Sequence, residues 1–459
     1  MRGNRLSGLP VGARRATSTV RPPGPREDRV SMTIGRLDGA PSTKLSIAAL
    51  ALVGTLIAVY AVSQFLRNSI GVIAPNLAAE LGLSAAEIGL LSSVFFFAFA
   101  AAQIPLGMAL DRFGPRLCLL ACVGIAAAGT AVFAFAASTI GLIVGRSLQG
   151  LGAASFLMAP LAVYARQFSP QRFATVTGLH IGIGTVGTLL ATAPLAFSTV
   201  AIGWRGSFLA VAVATLCIGV LIALFVKDQR IERTRRETLH ESLAGIVAVI
   251  RTPSVVRLFV MQLVVYSSFA QIAGLWGGPY LTHVYGYDLE ARGNLLLIPV
   301  LTQILGSFVW GPMDRVMGSY QRPVLLGAAL TALLFGWLAA AGTLPSPLLL
   351  MWLAVFGAVS AYVPVLVAHG RALFPLHLVG RGLTVLNVGS MGGVFVCQIV
   401  SGWVIALFPT APGGGYPLAA YRLVFALQAA VILLACLVYF GANDPAREPR
   451  AKVRPARPA

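Results

Sequence analysis

The stretch GMALDRFGPR, Gly107 to Arg116, sets three charges, Asp111, Arg112 and Arg116, between two apolar runs. Each run is long enough to cross a bilayer, which takes ~20 residues. Gly114 and Pro115 break the helical pattern there, so the stretch reads as a tight charged turn at a membrane edge. A looser copy, GPMDRVMGSYQR, runs from Gly311 to Arg322. Its first glycine lies one place nearer Asp314, and its second lies one place further away. A turn of this kind met twice implies two similar halves.

Working outward, the 459 residues are 57% hydrophobic and only 11% charged, with mean hydropathy +0.83. A globular chain carries roughly 25% charge, so this is an integral all-α membrane protein. Twelve apolar spans are expected at 45–77, 85–110, 117–137, 140–165, 173–199, 204–226, 254–284, 291–313, 323–342, 347–368, 380–408 and 418–440. They group as six-helix bundles over 45–226 and 254–440, joined by a charged linker over 227–253. A basic segment over 1–44, expected to be disordered, precedes them, Met32 within it is a second candidate start, and a basic tail over 441–459 follows.

The net charge of +19 follows helix ends and tails, where the positive-inside rule puts it, and so does not imply nucleic acid. Both termini are therefore expected in the cytoplasm of a cell carrying the chain in its inner membrane, with the tails against anionic lipid head groups. All five cysteines fall inside expected spans, so free thiols are expected. No spacing suits a metal, and the glycines of helices 5 and 11 lack the strand and lysine of a phosphate loop. No cofactor, enzymatic activity or fixed oligomer beyond a monomer is expected.

A shift of about 204 residues superimposes Pro75 on Pro279, Leu77 on Leu281, Gly82 on Gly286 and Gly89 on Gly293. With that repeat in place, Gly107 to Arg116 resembles the G-x-x-x-D-R-x-G-[RK]-[RK] loop of the major facilitator superfamily, with Pro115 departing from its usual basic residue. GRSLQGLGAA, Gly145 to Ala154, is similar to that family's R-x-x-Q-G-x-G pattern on helix 4. The resemblance implies twelve helices in two pseudo-repeats and transport by alternating access. It assigns gating or conformational roles to Gly107, Asp111, Arg112, Gly114, Arg116, Arg146, Gln149, Asp314 and Arg315.

Arg67 poses the chemical question. It lies within the first span, and all 15 acidic residues lie in tails, loops or helix ends. A bare cation at that depth costs from ~3 to above 10 kcal/mol. An aqueous cavity visited by an anion would account for it, whereas a helix ending near Gln64 would let it snorkel. By the repeat, Arg67 falls on Gln271, which is flanked by apolar helix on both sides, and this favours the cavity.

The segment FLRNSIGVIAPNL, Phe65 to Leu77, also resembles the first helix of the organophosphate:phosphate antiporters. That likeness implies a phosphate held by this arginine, a second in helix 7 and a histidine in helix 5. Here helix 5 offers His180, but helix 7 offers Gln271. With one cation missing, a monoanion such as a carboxylate is expected, held by Arg67 and oriented by Gln64, His180, Gln271 and Asn387. For Arg146 packing and substrate contact are both open, as they are for His180. The expected function is carriage of a small organic anion. A sensor that binds without carrying, or an exporter of hydrophobic compounds, are the alternatives.

Overall fold

The computed structural model describes residues 47–227, 247–252, 254–374, 378–411 and 414–446. The basic segment over 1–44 and most of the linker lie outside the described residues. Among the described residues the regular structure is helical throughout. Eleven helices are long and apolar enough to cross a membrane. The twelfth crossing is hidden by a junction at Gly203, whose φ of 74° and ψ of 161° end one helix and start the next inside Ala193–Phe225.

The crossings are α1 (47–81), α2 (Ala85–Phe113), α3 (Pro115–Phe135), α4 (Thr139–Gln167), α5 (170–202), α6 (204–225), α7 (Val255–Tyr285), α8 (Leu289–Trp310), α9 (Gln321–Ala341), α10 (Ser346–Leu373), α11 (Val379–Ala406) and α12 (Leu418–Tyr439). Their distribution of side chains is inverted relative to a soluble protein. Phe308 is 76% exposed and Leu407 80%, while Arg146, Gln149, His180 and Gln398 are fully buried. Apolar atoms face lipid and polar ones face inward, as a bilayer requires.

Local signals place the helix ends. Gly82 and Gly286 close α1 and α7 in the left-handed conformation, φ +66° and +72°, at matching repeat positions. Ser84 and Glu87 then form a reciprocal cap on α2, and Asp288 caps α8 through the Ala291 N–H. The repeat extends to Arg205, which donates to the Ala136 carbonyl beyond α3, and to Arg422, which donates to the Ala339 carbonyl in α9.

The halves meet through α1 with α7, α2 with α11, and α5 with α8. All three pairs close at the end that carries the 82–84 and 286–288 turns. A Cβ on Gly278 would stand 1.8 Å from the Gly71 carbonyl oxygen, one on Gly89 2.9 Å from the Gly402 Cα, and one on Gly293 2.5 Å from the Ala196 Cβ. Small residues there bring the two halves into backbone contact. Among the described residues no extensive helix pair joins α4, or the 170–184 part of α5, to the second half. The turns bearing Asp111 and Asp314 stand at that other end.

There the second half is bound by its own strap. Asp444 accepts from Ser319 Oγ at 2.5 Å and from the Tyr320 and Gln321 amides at the start of α9. Gln321 donates to the Phe440 carbonyl at 2.5 Å, and Arg257 of α7 to that of Gly441 at 2.5 Å. Burial pushes the Asp444 carboxyl up, but these bonds outweigh it and hold it below the ordinary carboxylate range. A depressed pKa contributes stability above the unfolded value and loses it as pH falls through the folded one. Asp444→Ala should therefore cost about 1 kcal/mol at neutral pH, the size of a helix cap. In thermal unfolding of the detergent-solubilised protein, the gap between wild type and variant should narrow as pH drops below about 4.

Candidate functional site

Helix α1 is interrupted between Asn68 and Ile70, midway along the bundle. The Leu66 carbonyl turns to other donors, accepting from Arg146 at 2.7 Å and from Ser69 Oγ at 3.3 Å. Arg146 also donates to Gln149 Oε1 at 3.0 Å and to the Leu91 carbonyl at 3.4 Å, and its guanidinium lies 4.7 Å from the Phe95 ring. Gly150 allows this approach, since a Cβ there would stand 2.2 Å from the Phe95 carbonyl oxygen. Arg146 and Gln149 thus brace α1, α2 and α4, which favours packing for that arginine.

Arg146 keeps one buried nitrogen, Nη2, without an acceptor, and Arg67 has fewer partners still. Arg67 is 7% exposed, its guanidinium stacks 4.4 Å from the Phe99 ring, and its Nε is buried without an acceptor. Among the described residues no carboxylate forms an ion pair with it. The stacked ring is worth only about 0.5–2 kcal/mol, so the cation remains largely uncompensated. Beside it, Tyr60 lies close enough to feel the charge of Arg67 and also neighbours Tyr266 of α7.

Tyr60 packs on His180. The two rings stack with centroids 5.0 Å apart, in space opened by Gly184. His180 Nδ1 pairs with the Tyr164 hydroxyl at 3.0 Å, and its Nε2 is buried with no partner. Of the expected substrate contacts, His180 thus packs on Tyr60 of α1, the helix that carries Arg67 two turns further on. Gln64 and Gln271 each keep a buried amide oxygen without a donor. Asn387 is half-buried on α11, one turn before Ser390, whose hydroxyl donates to Gln262 at 2.7 Å.

The expected gating residues divide by location. Gly114, buried with φ +83°, makes the turn between α2 and α3, and Arg116 donates to the Ala223 carbonyl at 2.8 Å within the same half. Gly107, Asp111 and Arg112 are exposed, as is Arg315, with Asp314 half-buried.

Sequence reading missed the contact that spans the halves at the closed end. Arg292 of α8, 3% exposed, donates to the Val72 carbonyl of α1 at 2.9 Å, to Asn76 Oδ1 of α1 and to Thr282 Oγ1 at 2.9 Å. Pro75 was the available signal. Lacking an N–H, it leaves the Gly71 carbonyl without its helical donor and loosens the turn in which the neighbouring Val72 carbonyl accepts from Arg292. Tyr60, Asn68 and Gln398 were missed as well, each polar in an apolar run.

Known proteins give a consistent comparison. The sequence family described as Major Facilitator Superfamily matches residues 56–300 and 258–459. The "Probable sulfoacetate transporter" of Cupriavidus necator is 26% identical over 302 residues, covering 63% of this chain and 69% of that one. The "Probable L-galactonate transporter" of Escherichia coli is 30% identical over 264 residues, covering 53% and 57%. Among solved structures, a bacterial homolog of the human lysosomal transporter Spinster superposes with a TM-score of 0.67 at 20% identity, covering 84% of this chain and 95% of that one. The last likeness is one of fold.

Charged hydrogen bonds contribute about 1.5–3 kcal/mol each, so losing the Arg292 clamp should shift the closed end toward opening by roughly tenfold or more. Spin labels on Ala79 and Glu290, both exposed at that end, should report a longer distance component in Arg292→Ala. Asn76→Asp, which turns the neutral acceptor into an ion-pair partner, should suppress that component.

Proposed function

The chain belongs to the Major Facilitator Superfamily, and on that premise we propose that it carries a small organic anion, a carboxylate in preference to a phosphate ester, across the membrane by alternating access. The observation that carries the proposal is Arg67, a buried guanidinium with no carboxylate partner and an unpartnered Nε. An anion entering the bundle would supply the missing acceptors, and charge-assisted bonds of this kind are about twice as strong as neutral ones. The matching position of the second half holds Gln271, so one formal cation faces the ligand where a phosphate dianion would call for more. Both relatives carry names that specify organic acids, a sulfonated acetate and a sugar acid.

With the positive-inside rule setting orientation, the end sealed by Gly71, Gly89 and Gly293 faces outward and the turns of Asp111 and Asp314 face the cytoplasm. This conformation then corresponds to a carrier sealed on the outside. Arg292 holds it through neutral acceptors of α1, while the Asp111–Arg112 and Asp314–Arg315 turns act as latches in the opposite state. Gln64, His180, Gln271 and Asn387 orient the ligand. Coupling by anion exchange needs no further titratable group, and His180, wedged between Tyr60 and Tyr164, is the position to carry a proton if one moves.

Reconstituted liposomes preloaded with unlabelled organic acid test the reading by counterflow. Labelled acid should accumulate transiently in wild type and not with Arg67→Gln, whose thermal stability should match wild type. Binding without accumulation would make the chain a sensor. Arg146→Leu should behave differently, failing by instability, because it strips the donors from Leu66 and Gln149 in a buried brace that supports the fold at about 3 kcal/mol or more.

A further inference from the structure

Two buried amides, Asn68 and Gln398, meet near the crossing of α1, α7 and α11, and a third, Gln271, lies on α7 three residues before Gly274. Asn68 donates Nδ2 to the Gln64 carbonyl at 2.9 Å, and Gln398 donates Nε2 to the Ala270 carbonyl at 3.3 Å. Those bonds fix which end of each amide is oxygen. Asn68 Oδ1 and Gln398 Oε1 are then buried acceptors with no donor, and Gln271 adds a third buried amide with an unpartnered end. Asn68 Oδ1 and the Gln398 amide both stand within 4 Å of the point that a Cβ on Gly274 would occupy. Gly274 itself lies in a π-helical turn, Ile272–Trp276, that begins right after Gln271. Such turns are rare and recur at functional sites.

Acceptors without donors call for a ligand that donates. A carboxylate, a sulfonate or a phosphate dianion only accepts and cannot fill this need. An ammonium group or a metal ion would donate or coordinate, but it would enter a bundle that already holds Arg67 and Arg146 with no carboxylate in its middle. A neutral hydroxyl is the donor that fits both the acceptors and the field. Resting on the anion reading above, we infer that Asn68, Gln271 and Gln398 read hydroxyl groups of the carried acid, so the substrate class is a hydroxycarboxylate. Arg67 takes the carboxylate, and the adjacent Asn68 with its partners across the halves takes the hydroxylated chain. The amides come from both halves, so a hydroxylated ligand also joins them.

Binding to the purified full chain, measured by calorimetry with two matched pairs, decides the matter: tartrate against succinate, and glycerate against propanoate. The hydroxylated member should bind at least about tenfold more tightly in one pair or both, as expected where buried polar groups await a substrate hydroxyl. Asn68→Leu and Gln398→Leu should bring that ratio toward one. A purely structural role would change the melting temperature of these variants and leave the ratio alone, which would overturn the inference. Equal binding of both members, lost in Arg67→Gln, would overturn it too while the anion reading stood. Failure of every acid to bind in an Arg67-dependent way would overturn both. The wild-type ratio is decisive even where a variant does not fold.

Discussion

A positive charge inside this bundle has no carboxylate in the middle of any span to meet it, and that shortage governs how the polar interior is built. Each buried guanidinium must find neutral acceptors or leave a place for an anion. Arg146 finds them in the Leu66 and Leu91 carbonyls and in Gln149. Arg292, with Asp288 in electrostatic reach at the membrane edge, finds them in Val72, Asn76 and Thr282. Arg67 finds an aromatic face and little else. The three differ in chemistry only through what surrounds them, and their proposed roles follow from it: brace, clamp between halves, and binding group.

Neutral acceptors of that strength come from helices that have been opened. An uninterrupted α-helix consumes its carbonyls internally, so the break at Asn68–Ile70 is what releases Leu66 for Arg146, while Val72, one residue after the Gly71 carbonyl that Pro75 leaves without a donor, accepts from Arg292. The equivalent stretch of the second half contains the π-helical turn at Ile272–Trp276. Irregular backbone at membrane depth is tolerated where it is buried in protein or lines a cavity. Both interruptions fall where α1 and α7 cross, with Gly71 and Gly278 in backbone contact just beyond.

Much of the fold was legible because bilayers impose strong periodic demands on sequence. The twelve spans, the repeat at Gly82 and Gly286, and the superfamily were all readable from apolar length and turn residues. The junction between α5 and α6 is an instructive case: Gly203 turns the chain with no intervening loop, so the two helices abut, while the sequence separates the spans at Trp204–Arg205. The affinity with the organophosphate antiporters rests on the Arg67 segment alone and gains no support from the relatives found. The site was less legible. Arg67 and His180 stood out as rare residue types, but Tyr60, which stacks on His180, resembles any interfacial tyrosine. Arg292 gave no signal of its own because two of its acceptors, the Val72 carbonyl and the Asn76 side chain, lie on a helix more than 200 residues away, which no local pattern records.

The two halves are unequal in charge, and a carrier gains from that inequality. The first half supplies Arg67, Arg146 and His180, whereas the facing helices α7 and α11 supply Gln262, Gln271, Ser390 and Gln398. Two cations facing each other across a low-dielectric gap would repel when empty and hold a dianion too firmly to release it. One cation opposed by amides keeps the empty bundle closable and the loaded one releasable, because the amides contribute neutral bonds and no net charge. The same moderation marks the closed end, where Arg292 grips carbonyl and amide oxygens in place of a paired carboxylate across the halves. A ligand shifts such an equilibrium only by its differential affinity for the two states. On the reading proposed above, keeping both the grip and the clamp within a few kcal/mol would let a single small anion tip the balance in either direction.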